Sequence, residues 1–217
     1  MSKSQQSLHP GPRSGPLLQL IGKLFLKATG WRLQASIPDS AGMVVIAAPH
    51  TTNWDFIFLL AAAFALRLKI NWMGKDTLFM PPFGYIMRGL GGIAVDRSTQ
   101  SNAVDQLASG FRDGKKLALV VSAPGTRRKA KFWKSGFYWI ADSAQVPIVC
   151  GYLDYQKKVA GLGLAFVPTG NITADMDRIR EFYRDIAGKY PDQVSTPLLK
   201  EELNEEPNEE SNEGSAD

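Results

Sequence analysis

His50 and Asp55 are the residues of this sequence best suited to acid–base chemistry, and they lie five positions apart in the stretch Ala47–Asp55. A carboxylate that binds one imidazole nitrogen fixes that nitrogen as the N–H, so that the other nitrogen can accept a proton. The spacing therefore predicts a histidine general base oriented by an aspartate. The alternative is a chance spacing without catalytic meaning. It is weakened because His9, the other histidine, falls in a segment with the composition of disordered chain.

The flanking elements predict how this pair is positioned. Residues Met43–Ala48 are an apolar, β-branched run of strand length, and Asp55–Leu66 is an apolar run of helix length. Pro49 closes the strand, and Asp55 falls near the positive end of the helix, which favours the ionised carboxylate. The residues that could cap the helix are Thr51, Thr52 and Asn53. The sequence thus places the pair at a strand-to-helix turn.

Residues Gly125–Arg128 have the form of an anion-binding loop. They follow a continuous apolar strand predicted at Leu117–Val121. Gly125 permits close backbone approach, Thr126 supplies a hydroxyl, and Arg127 and Arg128 supply positive charge. Ligands of parallel α/β sheets collect at the carboxyl ends of strands, where this loop is expected. The loop is therefore a candidate substrate-binding site.

Two further cations are expected at the same edge of the sheet. Arg97 emerges just past the strand predicted at Ile93–Val95, and its planar guanidinium could hold two phosphate oxygens in one plane. An ion pair with Asp96 or another acid is the alternative for Arg97. Lys75 follows the strand predicted at Lys69–Met73, at a strand end where ligands of α/β sheets collect, and the alternative for it is a plain surface lysine.

The order of these motifs resembles the glycerolipid acyltransferases, the family of the lysophosphatidate (1-acylglycerol-3-phosphate) acyltransferases. The resemblance runs from about Met43 to Gly188 and looks closest to a short bacterial branch without long membrane anchors. The matching segments, in the family's order and at similar spacings, are His50–Asp55, Gly74–Phe79, Gly91–Arg97, Pro124–Arg127 and Val146–Ile148. Because five separate segments match in order, a coincidental likeness is disfavoured.

The resemblance implies transfer of a fatty acyl group from a thioester, on coenzyme A or acyl-carrier protein, to the hydroxyl of a lysophospholipid. His50 would be the base and Asp55 its orienting partner. The residues that would lie near the acceptor phosphate are Arg97 and Arg127, followed by Lys75 and Arg128. Neither a metal nor a cofactor other than the thioester co-substrate is expected.

Pro124 departs from the family pattern, because most members carry glutamate immediately before Gly-Thr-Arg. Proline has neither a carboxylate nor a backbone N–H, so a contact worth about 1.5 to 3 kcal/mol would be missing. The alternative function is therefore a catalytically weak or inactive lipid- or phosphate-binding homologue. A serine hydrolase is disfavoured because the sequence has no G-x-S-x-G elbow.

The charge pattern favours anionic partners. The whole chain carries +4, but residues 201–217 hold eight acids, so residues 1–200 carry 25 Lys and Arg against 13 Asp and Glu. A body this basic suits phosphate-bearing ligands or an anionic membrane surface, whereas no recognition-helix or RNA-binding signature indicates nucleic acid. Without a signal peptide, we expect a cytoplasmic protein, peripheral on the cytoplasmic face of the membrane.

The predicted architecture is a single α/β domain with a central, mostly parallel β-sheet flanked by helices, since the length supports one core. Residues 1–16 are predicted to be disordered, 17–190 to form the domain and 191–217 to be a disordered acidic tail. Residues 17–29 form an amphipathic helix that could lie on a membrane or cover the core. Cys150, the single cysteine, is expected to pack inside a strand.

Overall fold

The computed structural model describes residues 14–95, 107–111 and 117–204. The predicted Arg97 site and the predicted disorder of residues 1–13 and 205–217 lie outside these residues. In chain order the elements are α1 (Pro16–Ala28), β1 (Arg32–Ala35), β2 (Met43–Ala47), α2 (Trp54–Ala65), β3 (Ile70–Lys75), α3 (Phe83–Gly89), β4 (Gly92–Val95), α4 (107–111), β5 (Ala118–Val121), α5 (Gly136–Ala144), β6 (Ile148–Asp154), β7 (Val159–Phe166) and α6 (Ile172–Tyr183). Short 3-10 turns occupy Asp76–Phe79, Pro191–Gln193 and Glu201–Asn204.

The seven strands form one sheet in the order β1-β7-β6-β2-β5-β3-β4. Every adjacent pair is parallel except β6 and β7, which are antiparallel. The central strand β2 pairs Val45 with Val120 of β5 and with Val149 of β6. Such continuous apolar strands suit a sheet covered on both faces. The predicted α/β domain with a central, mostly parallel sheet is confirmed.

Alternate residues of β2 pack against different layers of helices. Val44 and Ile46 belong to a core shared with α5 and α6, which includes Phe137 and Met176. Met43 and Val45 face the other side, where Leu60 and Ala63 of α2 pack. The His50 turn connects β2 to α2. A ligand bound between α2 and the sheet would therefore lie close to His50.

Helix α1 crosses α2 with its backbone in close contact. A Cβ added to Gly22 would lie 2.5 Å from the carbonyl oxygen of Ala61, so no larger residue fits there without a shift. Leu26 is buried on the same side of α1. The opposite side carries an outer stripe that is 50 to 69% exposed, made of Leu17, Leu20, Ile21 and Leu24. Helix α1 therefore covers α2 with one side, while this apolar stripe faces outward.

One predicted strand boundary shifts. Lys75 belongs to β3, because the strand continues past Met73. Helix α5 starts at Gly136. Helix α6 starts at Ile172, and the side chain of Asn171 caps it by accepting from the Ala174 N–H at 2.9 Å.

Residues 191–204 pack on the domain, so the prediction that they belong to a disordered tail is wrong. Leu199 is fully buried. The Glu202 carboxylate accepts from the Leu199 N–H and from the Arg180 guanidinium, both at 2.6 Å. Ser195 accepts from the Ala130 N–H at 2.9 Å. These contacts clamp the segment against α6 and the loop after β5.

None of the helices in the described part of the chain has the length and apolar character needed to cross a bilayer. The apolar run of α2, predicted to be a buried helix, is 12 residues long as a helix. A transmembrane helix needs about 20 apolar residues.

Candidate active site

The structure brings His50 and Asp55 together at the turn between β2 and α2. Nδ1 of His50 lies 3.2 Å from Oδ2 of Asp55. The His50 side chain is 26% exposed and that of Asp55 is 7% exposed, so the ring reaches the surface of a cavity while the carboxylate is buried behind it. With Nδ1 facing the carboxylate, Nε2 is the nitrogen left to accept a proton from a substrate.

The backbone of the turn holds the Asp55 carboxylate in place. Oδ2 accepts from the N–H groups of Thr51 at 2.8 Å and Thr52 at 3.0 Å. Asn53 occupies the N-cap position but makes no side-chain cap bond, while the Thr52 hydroxyl accepts from the Trp54 N–H at 3.3 Å. The carboxylate therefore binds backbone donors of the turn before α2, while the Thr52 hydroxyl satisfies the first N–H of the helix itself.

Tyr155 is a partner of Asp55 that the sequence did not reveal. Its hydroxyl donates to Oδ1 of Asp55 at 2.7 Å, from the turn that follows β6. Burial, and next the hydrogen bond to Asp55, raises the pKa of the Tyr155 phenol above its usual value, so the group stays protonated. The two residues are 100 positions apart, and no local pattern links them.

A cavity of about 1070 Å³ opens beside His50 and runs between α2 and the sheet. Its interior is apolar and is lined from α2 by residues that include Leu59, Leu60, Ala62, Ala63 and Leu66, and from the strands by residues that include Val45, Ile70, Trp72, Val120 and Leu162. Its polar lining residues include His50 and Asp55 of the turn, Thr126 and Arg127 of the loop after β5, and Lys75 of β3. The cavity thus combines chemically active side chains with a largely apolar lining.

The predicted anion-binding residues divide into two groups. Gly125, Thr126, Arg127 and Lys75 line the cavity. Gly125 has a φ of 67°, in the left-handed region where glycine is favoured. Arg127 donates to the side-chain oxygen of Asn53. Arg128 is exposed and is not among the lining residues, and its N–H binds the Thr126 hydroxyl at 3.2 Å.

A family model for acyltransferases matches residues 32–153, more than half of the chain. The chain belongs to the acyltransferase family. Among solved structures, the 1-acyl-sn-glycerophosphate (LPA) acyltransferase PlsC from Thermotoga maritima matches with a TM-score of 0.50 and 14% identity, over 78% of this chain and 75% of that one. That likeness is one of fold. No curated protein sequence matches significantly.

The family match confirms the acyltransferase family that the motifs indicated, and with it an enzyme that transfers acyl groups. In this acyltransferase the departure at Pro124 falls at a buried position, directly before the exposed part of the loop. Lys134 packs beside the loop, since its Cγ would be 3.1 Å from a Cβ on Gly125. The loop is therefore built around proline and a neighbouring lysine side chain.

Three aromatic side chains and the single cysteine of this acyltransferase are packed in its core. Trp133, Phe137 and Tyr138 are buried in the core and do not line the cavity. Burial raises the pKa of the Cys150 thiol to about 12, as befits a packed cysteine. Among the described residues no group of three or more His, Cys, Asp or Glu is arranged to hold a metal ion.

Proposed function

We propose that this acyltransferase transfers a fatty acyl group from the thioester of acyl-CoA or acyl-carrier protein to the hydroxyl of a lysophospholipid such as 1-acylglycerol-3-phosphate. The observation that carries the proposal is the His50 imidazole, tied to Asp55 at 3.2 Å, in the lining of a largely apolar cavity of about 1070 Å³. A base and an apolar chamber are what an acyl acceptor and a fatty acyl donor require.

In the proposed mechanism Nε2 of His50 takes the proton of the acceptor hydroxyl as its oxygen attacks the thioester carbonyl. The tetrahedral intermediate collapses with loss of the thiolate, which receives a proton from the imidazolium. Asp55 keeps the ring oriented and balances its positive charge. General-base catalysis contributes about 10² to 10⁴-fold, and a thioester already has a good leaving group, so no acyl-enzyme is needed.

The apolar interior of the cavity is the proposed site of the fatty acyl chain. Each buried methylene contributes about 0.8 kcal/mol, so a chain enclosed between α2 and the sheet would supply most of the donor affinity. Since His50 lines the same cavity, a chain bound there would bring its thioester to the imidazole.

The polar mouth is the proposed site of the acceptor phosphate. Arg127 and the Thr126 hydroxyl line the cavity on one side and Lys75 on another, which supports their role as phosphate ligands. Gly125 would let the backbone approach the ligand. Arg97 and Arg128 remain proposed ligands on their sequence position, with Arg128 the weaker one because it lies outside the lining.

A peripheral position on the cytoplasmic face of the membrane completes the proposal. The outer stripe of α1 is apolar and exposed, and Lys23, Lys27 and Arg32 line a groove beside it. Apolar side chains flanked by cations match an anionic lipid surface. The apolar side chains insert between the headgroups and the acyl chains, and the anionic headgroups attract the cations. Further exposed apolar residues lie on or next to α3, namely Met80, Phe83, Tyr85 and Ile86.

Sedimentation with vesicles tests the membrane contact. The parent should bind vesicles containing anionic lipid more tightly than neutral ones, and Leu20→Asp with Leu24→Asp should lose most of that binding. Leu203→Asp, which changes another exposed leucine, is the control and should bind as the parent does. Equal binding by all three proteins would refute the contact.

Labelled acyl transfer to lysophosphatidate tests the catalytic proposal, with acyl-CoA and acyl-carrier protein assayed separately as donors. His50→Ala should lower the rate by about 10² to 10⁴-fold. His9→Ala replaces the second histidine and should leave the rate unchanged. Equal rates in the parent and in His50→Ala would remove His50 from the mechanism.

The second candidate function is a catalytically weak lipid- or phosphate-binding homologue, and Pro124 is the observation that favours it. Pro124→Glu restores the residue that most family members carry immediately before Gly-Thr-Arg. A large increase in turnover would show that proline impairs this chain. Turnover that stays constant or falls, against an active parent, would favour the acyltransferase with a differently built acceptor site.

A further inference from the structure

We propose that Tyr155 is a positioning residue of the His50–Asp55 pair, acting through the bond from its hydroxyl to Oδ1 of Asp55. This inference rests on the proposed function for its catalytic meaning, but the contact itself exists independently of it. The bond measures 2.7 Å and reaches the pair from the β6–β7 turn, on the other side of Asp55 from His50.

The two oxygens of Asp55 have different partners. Oδ2 accepts from the two backbone N–H groups of Thr51 and Thr52 and lies against His50. For Oδ1, Tyr155 is the one hydrogen-bond donor found among the described residues. Because the carboxylate is buried, loss of that donor would leave one oxygen without a partner and the group freer to rotate about Cβ–Cγ. Tyr155 therefore fixes the plane of the carboxylate that orients the imidazole.

Tyr155 is itself held at both ends. Its N–H donates to the Ala187 carbonyl at 2.9 Å. Its ring packs edge-on against Trp31, with centroids 5.0 Å apart, and against Phe58 at 6.0 Å. A donor placed by so many fixed neighbours costs little entropy to align. Tyr155 is not among the residues that line the cavity, so it would act through Asp55 without touching a substrate.

The sign of the expected electrostatic effect follows from the direction of the bond. A hydroxyl that donates to a carboxylate draws negative charge away from it. Removing the hydroxyl leaves more charge on Asp55 to stabilise the protonated imidazole, so His50 would keep its proton to a higher pH. The ascending limb of the pH–activity profile should therefore lie at a higher pH for Tyr155→Phe than for the parent. A residue that only stabilises the fold would not shift this limb of the profile.

Other titratable groups near the pair are unchanged by the substitution and provide the same background in both proteins. They are Lys75 and Tyr152 on the strands, Arg127 in the loop after β5, and Lys189 and Tyr190 in the segment after α6. Lys75, Arg127 and Tyr152 line the cavity, Lys189 lies over the Trp54 ring, and Tyr190 acts electrostatically on Tyr155.

The chain provides a matched control in Tyr138. Its hydroxyl donates to the buried carboxylate of Asp175 at 3.0 Å, so it repeats the tyrosine–aspartate bond in the opposite layer of the fold. Neither of these residues lines the cavity. Tyr138→Phe should therefore remove a comparable buried bond without any effect on His50.

The deciding experiment is a ¹⁵N NMR titration of the His50 ring in the parent, Tyr155→Phe and Tyr138→Phe, assigned with a His9→Gln variant. Tyr155→Phe should raise the midpoint by several tenths of a pH unit or more and Tyr138→Phe should not. In the acyl-transfer assay Tyr155→Phe should lower kcat by about 5- to 50-fold with KM for the donor unchanged. Identical titrations in the parent and Tyr155→Phe would overturn the proposal.

A second variant covers the case in which Tyr155→Phe fails to fold. Site-specific 3-fluorotyrosine at position 155 keeps the ring packing but has a more acidic phenol, so it is a stronger donor. It should move the His50 midpoint downward, and no movement would also overturn the proposal. The titration needs no substrate. The two proposals can also fail separately. If Tyr155→Phe shifts the His50 midpoint but His50→Ala transfers acyl groups at the parent rate, the positioning role of Tyr155 stands and the proposed catalytic function is rejected.

Discussion

Arg127 donates from its guanidinium to the side-chain oxygen of Asn53, which joins the loop after β5 to the turn before α2 at the mouth of the cavity. The guanidinium is thus held by a neutral amide. A phosphate could replace that amide without breaking an ion pair, which suits a residue that must exchange partners when the acceptor arrives.

Replacing Arg127 by alanine should raise KM for a phosphate-bearing acceptor by about 10- to 100-fold, because one charge-assisted contact contributes about 1.5 to 3 kcal/mol. KM for the acyl donor should change little. Arg128→Ala is the comparison variant and should raise this KM less, since Arg128 is adjacent but does not line the cavity. Steady-state kinetics with varied acceptor measures both. A larger effect at Arg128 than at Arg127 would contradict the assignment.

Replacing Asp55 by asparagine should damage both activity and stability. An amide offers a single acceptor oxygen, so it cannot satisfy the backbone donors on one side and Tyr155 on the other. We expect kcat to fall by about 10² to 10⁴-fold and the free energy of unfolding by about 1 to 3 kcal/mol. Denaturant unfolding and the transfer assay report the two effects. Asp185→Asn, at an exposed carboxylate, should change neither.

Filling the cavity should shorten the acyl chain that the enzyme accepts. Ala63 lines the cavity from the sheet-facing side of α2, so Ala63→Leu would occupy part of the apolar interior. The relative kcat/KM for long against short acyl donors should fall by about tenfold or more, since each excluded methylene forfeits about 0.8 kcal/mol. Ala174→Leu adds the same bulk on the exposed side of α6 and should keep the parent profile. An unchanged preference in Ala63→Leu would argue against a chain in this cavity.

The Glu202–Arg180 contact should stabilise the fold without affecting catalysis. Glu202 is 5% exposed at its side chain and binds both Arg180 and the Leu199 N–H. Glu202→Gln should lower the free energy of unfolding by about 1 to 3 kcal/mol. Glu181→Gln breaks an exposed pair with Arg184 and should cost about 0 to 1 kcal/mol. Urea unfolding compares the two variants, and equal losses would show that residues 191–204 contribute no more than a surface pair.

Cys150 should report global unfolding. With its thiol buried and its pKa raised to about 12, the thiolate that reacts with disulfide reagents is nearly absent from the folded protein at pH 8. Labelling should therefore follow the unfolding rate and accelerate with urea in step with the loss of structure. Rapid labelling of the native protein would contradict the packed position.

The features that the sequence predicted well are those encoded locally. Strands β2 and β5 are unbroken apolar runs, and His50 and Asp55 are separated by one turn, so both are visible over a few residues. The bond from Tyr155 to Asp55 depends on how distant strands are ordered in the sheet, which periodicity does not encode. No motif could have indicated it.

Composition misled the reading of two other segments. Gly161 and Gly163 interrupt the apolar pattern of β7, so periodicity does not mark its start at Val159. Gly161 is required there because a side chain would collide with the carbonyl of Gln34 in β1. The acids after Lys200 suggested a disordered tail, but Glu202 pairs with Arg180 across the domain, and only the fold could reveal that partner.

The central strand β2 leaves the ribosome long before its neighbours. Met43 pairs with Ala118, and Val44 pairs with Ile148. Because synthesis adds about 5 to 20 residues per second, β2 waits several seconds before either neighbouring strand exists to pair with it. During that time it is a short, uncharged, aggregation-prone ribbon. Slower growth at low temperature, or a holdase chaperone supplied during expression, should therefore raise the yield of native enzyme more than any change at its surface.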